Sequence, residues 1–176
     1  MKQAIFLDRD GTLIKDSGFL RDPAKAALYS FTVEALKLLQ EKFDLFIVTN
    51  QCGIANGIIS QDEVGKVNKF IIDSLAEKGI DIKNCYVCPH AVDAGCKCRK
   101  PKTFFAEQAA LDYGLNLLRS WVIGDHLSDI NFAKAFGGQG IYVLTGHGGH
   151  HRHSVPDDAI VSKNLLYAAR KVIEAC

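Results

Sequence analysis

Two aspartates, Asp8 and Asp10, stand two residues apart where a short apolar run ends, in the string FLDRDGTLI. A carboxylate that a cation keeps ionised can attack phosphorus, and a second one can protonate a leaving oxygen and later take a proton from water. A hard divalent ion with oxygen ligands would relieve their mutual repulsion, which predicts Mg²⁺. Gly11 and Thr12 permit a sharp turn whose backbone N–H groups can face an anion. The alternative interpretation is a solvated turn with incidental acids.

A second group of reactive side chains lies in the string CPHAVDAGCKC, and comprises Cys88, His90, Cys96 and Cys98. Two pairs, each spaced i and i+2, flank a small loop and can close a tetrahedral zinc site of three cysteines and one histidine. Because no position stays open, such a zinc would be structural and would hold the loop at residues 88–98. The alternative is a set of free thiols around a solvent-exposed histidine. Cys85 is expected on the other face of its strand, in the core, and Cys52 is expected to pack.

Short apolar runs alternate along the chain with longer amphipathic stretches. Continuous hydrophobicity is typical of strands covered on both faces of a parallel sheet. We predict strands at residues 4–8, 45–50, 85–88, 121–125 and 141–145, and helices at 32–42, 61–78, 103–113, 127–136 and 163–175. Ser60 with Glu63 indicates a capping box for the second helix, and Pro101 a first-turn proline for the third. This order predicts an α/β fold with a three-layer, doubly wound parallel sheet.

The polar residues behind these runs are expected to meet at one edge of the sheet, because ligands of such folds bind beyond the carboxyl ends of the strands. Asp8, Thr49, Asn50, Cys88 and Asp125 all fall there. The sequence therefore places both groups of reactive side chains at the same edge.

Composition is ordinary, with 176 residues, 48% hydrophobic and 23% charged, and a net charge of +1. One domain over residues 1–176 is predicted. The near-neutral charge gives no sign of a nucleic-acid or membrane partner, and no apolar run is long enough to cross a bilayer. The first strand follows residues 1–3 directly, without room for a signal peptide, so we expect a cytoplasmic monomer with a small-molecule substrate. Four of the six cysteines crowd into one segment, which favours metal over disulfides.

The aspartate string DRDGTL resembles the first motif of the haloacid dehalogenase superfamily of phosphohydrolases. Three distant strings resemble the second, third and fourth motifs in order, namely VTNQCGI, CRKP and GDHLSD. The resemblance implies a Mg²⁺-dependent phosphatase in which Asp8 is the nucleophile and forms a phosphoaspartate, while Asp10 is the general acid and base.

The same resemblance assigns roles to the residues of the other motifs. It implies that Thr49 and Asn50 bind phosphate and that Lys100 is the phosphate-binding cation, just before a helix N-terminus that also favours anions. Asp125 would hold Mg²⁺ together with Asp8 and the Asp10 carbonyl. Asp129, one helical turn later, faces the same way and would support the site.

The cysteine–histidine loop next to CRKP narrows the resemblance to one subgroup, the D-glycero-D-manno-heptose 1,7-bisphosphate phosphatases and the related histidinol-phosphate phosphatases. The resemblance extends from Phe6 to about Gly146. In that subgroup the zinc loop helps to place the basic motif, and no separate cap domain is expected. The spacing agrees, because residues 11–43 leave room for only a loop and one helix, whereas an inserted domain needs about 50 residues or more.

The expected reaction is hydrolysis of the C7 phosphate of the heptose bisphosphate, in a heptose pathway for lipopolysaccharide or glycan precursors. NQCGIANG resembles the heptose enzymes more closely than the histidinol-phosphate version of this loop. Arg99 and Lys100 offer one cation for each phosphate, whereas the amine of histidinol phosphate would meet Arg99 unfavourably. Asn56 and His126 stand where arginine and lysine are expected, so two phosphate contacts are missing. Histidinol phosphate is the alternative substrate.

Several histidines and one arginine have less defined roles. His147, His150, His151 and His153 lie in TGHGGHHRH, whose glycines predict a loop beside the site, with contact to phosphate or product favoured over metal binding. The side chain of Arg9 is expected to point away from Asp8. Two functions compete with the phosphatase: a phosphotransferase that uses an alcohol acceptor, and a non-catalytic, zinc-stabilised binding module.

Overall fold

The structure, a computed structural model, describes residues 1–175, so Cys176 lies outside the described residues. Its centre is one sheet of six strands: β1 (Ala4–Leu7), β2 (Asp44–Asn50), β3 (Ile82–Cys88), β4 (Trp121–Gly124), β5 (Gln139–Val143) and β6 (Ile160–Ser162). They lie in the order β3-β2-β1-β4-β5-β6, and every neighbouring pair is parallel. The predicted parallel, doubly wound sheet is confirmed.

The helices that connect the strands are α1 (Thr32–Gln40), α2 (Gln61–Ala76), α3 (Phe104–Tyr113), α4 (Leu127–Phe136) and α5 (Leu165–Glu174). Short 3₁₀ turns occur at Pro23–Lys25, Leu117–Arg119 and Arg152–Ser154. α2 begins at the predicted capping box: Ser60 Oγ accepts from the Glu63 N–H at 3.1 Å, and the Glu63 carboxylate accepts from the Ser60 N–H at 2.7 Å. These two bonds satisfy donors that the first turn of a helix leaves free.

The expected role of Pro101 was wrong. α3 begins at Phe104, with Thr103 before it, so Pro101 is not in its first turn. The intervening residues form a separate turn, which the Lys102 N–H closes on the Arg99 carbonyl at 2.9 Å. Lys100 therefore belongs to this turn and does not stand directly before the helix N-terminus.

Both faces of the sheet are covered, because alternate residues of each strand point to opposite sides. On one side Ile5 and Leu7 pack in a buried cluster with α1, α2 and α5. On the other side Ala4 and Phe6 pack in a second cluster with α3 and α4. Phe6 lies 5.5 Å from Phe46 and 5.9 Å from Phe132, measured between ring centroids. The result is the predicted three-layer architecture.

The differences from the predicted elements lie mainly at the edges of the sheet. β6 was not predicted, because it has only three residues and its first, Ile160, is exposed on an edge strand. β3, on the other edge, begins at Ile82 and includes Lys83 and Asn84, whose polar side chains interrupt the apolar run. A half-exposed edge strand does not need the continuous hydrophobicity by which buried strands are recognised.

The sheet has a crevice at the carboxyl ends of β1 and β4. From β1, one neighbour is β2 and the other is β4, so the connections that leave these two central strands run in opposite directions. Such a switch point opens a crevice in which ligands bind. Asp8 follows β1 directly and Asp125 follows β4 directly. Between β1 and β2 the chain holds a loop, one 3₁₀ turn and α1. Among the described helices, none has both the length and the apolar character to span a bilayer.

Candidate active site and metal centres

Three buried carboxylates meet at the crevice and form what we call the acid centre. Asp8 follows β1, Asp125 follows β4, and Asp129 lies in the first turn of α4. One oxygen from each side chain lies within 4.8 Å of the others. Asp125 and Asp129 are completely buried, and Asp8 is 7% exposed. Three carboxylates so close together and so poorly hydrated require positive charge.

Lys100 supplies part of that charge from the turn before α3. Its Nζ donates to Asp8 Oδ1 at 2.7 Å, to Asp129 Oδ1 at 2.6 Å and to the Val48 carbonyl at 2.7 Å. Burial alone would lower the pKa of Lys100, but the carboxylates of Asp129 and Asp8 outweigh it and raise that pKa above its usual value. All three ammonium protons are engaged, so a phosphate oxygen can bind Lys100 only by replacing one of these acceptors.

The single positive charge of Lys100 does not neutralise three carboxylates, and the pKa of Asp125 reflects the excess negative charge. Burial first, and then the charges of Asp8 and Asp129, raise the pKa of Asp125 to about 9. Its Oδ2 accepts from the His147 N–H at 2.8 Å, but its buried Oδ1 has no hydrogen-bond partner. An unpartnered carboxylate oxygen among other acidic oxygens fits a hard divalent cation.

Two glycines allow the backbone to approach Asp125 closely. A Cβ on Gly11 would lie 2.1 Å from Asp125 Oδ2, and one on Gly146 would lie 2.3 Å from the same atom. Both residues also have positive φ, at 77° and 56°. The Gly11 N–H donates to the Ile14 carbonyl at 2.9 Å, so this one of the N–H groups expected to face an anion is engaged within the turn. Gly11 instead makes room for the carboxylate.

A pocket of about 300 Å³ opens above the acid centre. Asp8, Asp10, Thr49, Asn50, Arg99 and Lys100 all line it, together with Cys52, which was expected only to pack. The Asn50 amide accepts from the Lys100 N–H at 3.1 Å and donates to its carbonyl at 3.4 Å, so it anchors the turn that carries the lysine. Arg99 Nη1 is buried and has no hydrogen-bond partner.

The cysteine–histidine cluster forms the second centre. Ligand atoms of Cys88, His90, Cys96 and Cys98 all lie within 4.8 Å of one another. The S···S distances are 3.7 Å and 3.9 Å, and the S···N distances to His90 Nδ1 are 3.7 Å and 3.3 Å. Tetrahedral zinc with ordinary bond lengths requires about 3.8 Å and 3.6 Å, respectively. The four side chains are therefore spaced as ligands of one ion.

A bound cation would change the protonation of this cluster. Burial raises the pKa of the Cys88 thiol to about 12, so the side chain is protonated unless a positive charge stabilises its thiolate. Cys85, three residues earlier, packs against the hydrophobic core that contains Ile5 and Leu7, as predicted for the opposite face of β3.

Comparison with known proteins agrees with this geometry. The HAD-hydrolase-like family model matches residues 97–167. A D-glycero-beta-D-manno-heptose-1,7-bisphosphate 7-phosphatase of Pasteurella multocida is 36% identical over 76% of this chain and 77% of its own. The alpha-heptose counterpart of Photorhabdus laumondii is 32% identical over 96% and 95%. The D,D-heptose 1,7-bisphosphate phosphatase of B. bronchiseptica, solved with magnesium and phosphate, has a TM-score of 0.89 and 28% identity, with both chains fully covered.

The chain belongs to the haloacid dehalogenase superfamily of phosphatases. Within it, the relatives are heptose bisphosphate phosphatases, which confirms the family predicted from the four motifs. The predicted class of enzyme, a phosphoric monoester hydrolase, is confirmed as well.

Sequence reasoning missed the residues that hold Asp10 in this superfamily member. Asp10 Oδ2 accepts from Gln51 Nε2 at 2.9 Å and from Arg9 Nε and Nη2 at 3.0 Å and 2.7 Å. Gln51 also donates to Thr49 Oγ1 at 2.8 Å. Burial, opposed by Arg9 and helped by Asp8, raises the pKa of Asp10. The only signal in the sequence was the position of Gln51 in the TNQ string at the end of β2.

The histidine loop lies beside the pocket, as expected, but its residues differ in position. His147 lines the pocket, and its Nε2 lies 2.7 Å from Asp16 Oδ2. Its ring centroid is 4.9 Å from that of His126 and 5.7 Å from that of His151. His150 lines a neighbouring cavity, which His147 also lines. The tetrahedral grouping of the cysteine cluster is not repeated here among the residues that the structure describes.

Proposed function

We propose that the chain is a Mg²⁺-dependent phosphatase that removes the C7 phosphate of D-glycero-D-manno-heptose 1,7-bisphosphate through a phosphoaspartate. The observation that carries this proposal is that two different carboxylates line one pocket. Asp8 is paired with the buried Lys100, and Asp10 has an oxygen without a hydrogen-bond partner. Relatives that carry this substrate in their names support the choice of sugar.

In the first half-reaction, an Asp8 carboxylate oxygen attacks phosphorus and forms the phosphoaspartate. The bond from phosphorus to the C7 oxygen breaks, and that oxygen takes the proton from Asp10. Lys100 and Thr49 hold the phosphoryl oxygens. A phosphoryl oxygen accepts the hydrogen bond that Lys100 Nζ now donates to Asp8, which frees the carboxylate to react.

In the second half-reaction, Asp10 removes a proton from water, and the oxygen of that water attacks phosphorus. The bond between phosphorus and Asp8 breaks, so inorganic phosphate leaves and the Asp8 carboxylate is restored. Asp8, Asp125 and the Asp10 carbonyl would hold Mg²⁺, with Asp129 in support. When bound there, Mg²⁺ supplies positive charge that neutralises the phosphoryl oxygens. The unpartnered Asp125 Oδ1 is the feature of this chain that favours such an ion.

The heptose bisphosphate is preferred to histidinol phosphate because of Arg99. This side chain lines the pocket next to Lys100 and has a buried donor without a partner. A second phosphate would satisfy that donor, whereas a cationic amine would be repelled. The test is kcat/KM on both substrates under one Mg²⁺ concentration, with added alcohols to detect transfer. An advantage of tenfold or more for histidinol phosphate, about 1.4 kcal/mol of transition-state binding, would overturn the choice.

We also propose that the cysteine–histidine cluster binds a structural Zn²⁺ that fixes residues 88–98. All four ligand positions are filled by the chain, which is the property of structural rather than catalytic zinc sites. The loop leads through Cys98 directly to Arg99 and Lys100, so its order determines where these cations stand. Freshly purified protein, expressed with adequate zinc, is expected to contain one zinc per chain by elemental analysis, and zinc-free protein would refute the site.

A further inference from the structure

A buried arginine that the proposed chemistry does not use stands between the two catalytic aspartates. Arg9 is completely buried, and all three nitrogens of its guanidinium donate hydrogen bonds to side-chain oxygens. Two of its nitrogens donate to Asp10 Oδ2, and the third, Nη1, donates to Asn68 Oδ1 at 2.7 Å. A buried guanidinium is costly unless its donors are satisfied, so each of these partners matters.

Asn68 comes from a distant part of the chain, 59 residues further on, in the middle of α2. It is 7% exposed and belongs to the buried face of that helix, whose other members are Val64, Val67, Ile71 and Leu75. Asparagine is a weak helix former, and an amide among apolar side chains needs a hydrogen-bond partner. The contact with Arg9 explains why a polar residue interrupts this apolar face.

The two carboxylate oxygens of Asp10 differ in their hydrogen bonds. Oδ2 accepts three hydrogen bonds, two from Arg9 and one from Gln51. Oδ1 is buried and accepts none, and Asp10 lines the pocket. With its acceptor capacity filled, Oδ2 is a poor site for a proton, so Oδ1 is left as the oxygen that gives and takes one.

We propose that Asn68, acting through Arg9, is a positioning residue that orients Asp10 so that Oδ1 faces the leaving oxygen. The inference rests on the proposed function, in which Asp10 is the general acid. Loss of the Asn68 oxygen leaves Arg9 Nη1 unpaired, and the guanidinium then shifts and turns the Asp10 carboxylate with it. Proton transfer depends on hydrogen-bond geometry, so the rate falls wherever the leaving group needs a proton.

The experiment compares two leaving groups in purified full-length protein. Sugar alkoxide needs a proton from Asp10, whereas p-nitrophenolate departs as the anion. The quantity is kcat/KM, because it reports the steps up to departure of the leaving group and excludes hydrolysis of the phosphoaspartate. Asn68→Leu, of similar volume, should lower kcat/KM on the heptose bisphosphate about tenfold, a fraction of what a general acid contributes, and on p-nitrophenyl phosphate by less than about twofold.

Three further variants complete the test. Asn68→Asp keeps the acceptor for Arg9 and should restore most of the lost rate. Lys69→Ala, next to it on α2 but exposed and paired with Asp73, should leave both rates unchanged. If Asn68→Leu does not fold, Asn68→Ala gives the same ratio.

An equal loss on both substrates, or no rescue by Asn68→Asp, would overturn the inference. A wild-type protein that rejects the heptose bisphosphate but cleaves another sugar phosphate would refute only the proposed substrate, and the ratio is then measured on that sugar phosphate. A wild-type protein without any phosphatase activity would refute the proposed function, and the inference with it.

Discussion

The acid centre and the cysteine–histidine cluster are joined by three consecutive residues, yet they are built in opposite ways. Cys98 belongs to the cluster and Lys100 to the acid centre. Two carboxylates of the acid centre directly follow β1 and β4, and the third lies in the first turn of α4. Lys100 reaches Asp8 across 92 residues of sequence. The sheet thus fixes its geometry before any ion binds.

The cluster has no such scaffold. Of its four ligands only Cys88 lies on a strand, and the chain from His90 to Cys98 forms turns and bends without a helix or strand. In the cluster a bound ion would hold the loop in place, whereas in the acid centre the folded chain already places the carboxylates that would bind the ion. Removal of the ions proposed for the two centres should therefore have different consequences: loss of reaction at the acid centre, and loss of local folding at the cluster.

Replacement of the nucleophile should have the largest effect. Asp8→Asn is expected to lower kcat by at least about a thousandfold, because an amide cannot form the phosphoaspartate. The melting temperature should not fall, because the change removes one of three crowded negative charges. Phosphate release and thermal unfolding measure the two effects.

Asp44→Asn is the matched control, since Asp44 stands at the opposite end of a neighbouring strand and pairs with Lys2. It should keep the wild-type rate. Wild-type turnover in Asp8→Asn would remove the phosphoaspartate mechanism.

The general acid should come next. Asp10→Asn is expected to lower kcat by about 10²–10⁴, the usual contribution of acid–base catalysis. Substrate and Mg²⁺ binding should change little, because the backbone carbonyl proposed as the metal ligand is retained. Steady-state kinetics at several Mg²⁺ concentrations separate these quantities. If KM rises as steeply as kcat falls, Asp10 has a binding role instead.

The acid centre was largely predictable from sequence, for a physical reason. Asp8 and Asp125 each end a buried apolar run, and the carboxyl ends of parallel strands meet at one edge, so the sheet brings together acids that are far apart in sequence. The cluster was predictable because its ligands lie within one short segment. Both cases needed only local patterns and the topology.

Contacts between side chains of distant elements were not predictable in this way. For Arg9 we expected only that its side chain points away from Asp8. Its hydrogen bond to Asn68 depends on how α2 packs over the sheet, and no local sequence pattern predicts that packing. Likewise, the approach of Gly146 to Asp125 depends on the loop after β5. For the Arg9–Asn68 contact the sequence held one signal, Asn68 itself, because an asparagine on the buried apolar face of α2 needs a hydrogen-bond partner.

Removal of zinc ligands tests the other half of the comparison. Replacement of Cys96 and Cys98 by serine should release the zinc and lower the melting temperature by about 5 °C or more, which for a chain of this size corresponds to a few kcal/mol. Cys52→Ser is the control, because Cys52 is not among the four ligands. Elemental analysis and thermal unfolding report the outcome, and a variant that keeps its zinc would show that the ligands are assigned wrongly.

The stabilisation of the fold by Mg²⁺ should depend on pH. The pKa of Asp125 is raised from 3.8 to about 9, chiefly by burial and then by Asp8 and Asp129. A raised carboxyl pKa stabilises the folded state fully below the unfolded value, and this stability is lost as pH rises towards the folded value. Without Mg²⁺ the protein should therefore lose stability between about pH 4 and 9.

A bound cation balances the ionised carboxylate, so the stabilisation by Mg²⁺ should grow as pH rises from 5.5 to 8.5. An increase in melting temperature is expected across this range, at about 2–4 °C per kcal/mol of added stabilisation. The measurement is thermal unfolding with and without Mg²⁺ in chelator-free buffer, so that any zinc stays in place. Asp125→Asn should flatten the dependence, because the amide does not titrate. A Mg²⁺ effect of constant size across this range in the wild type would mean that the ion does not bind through Asp125.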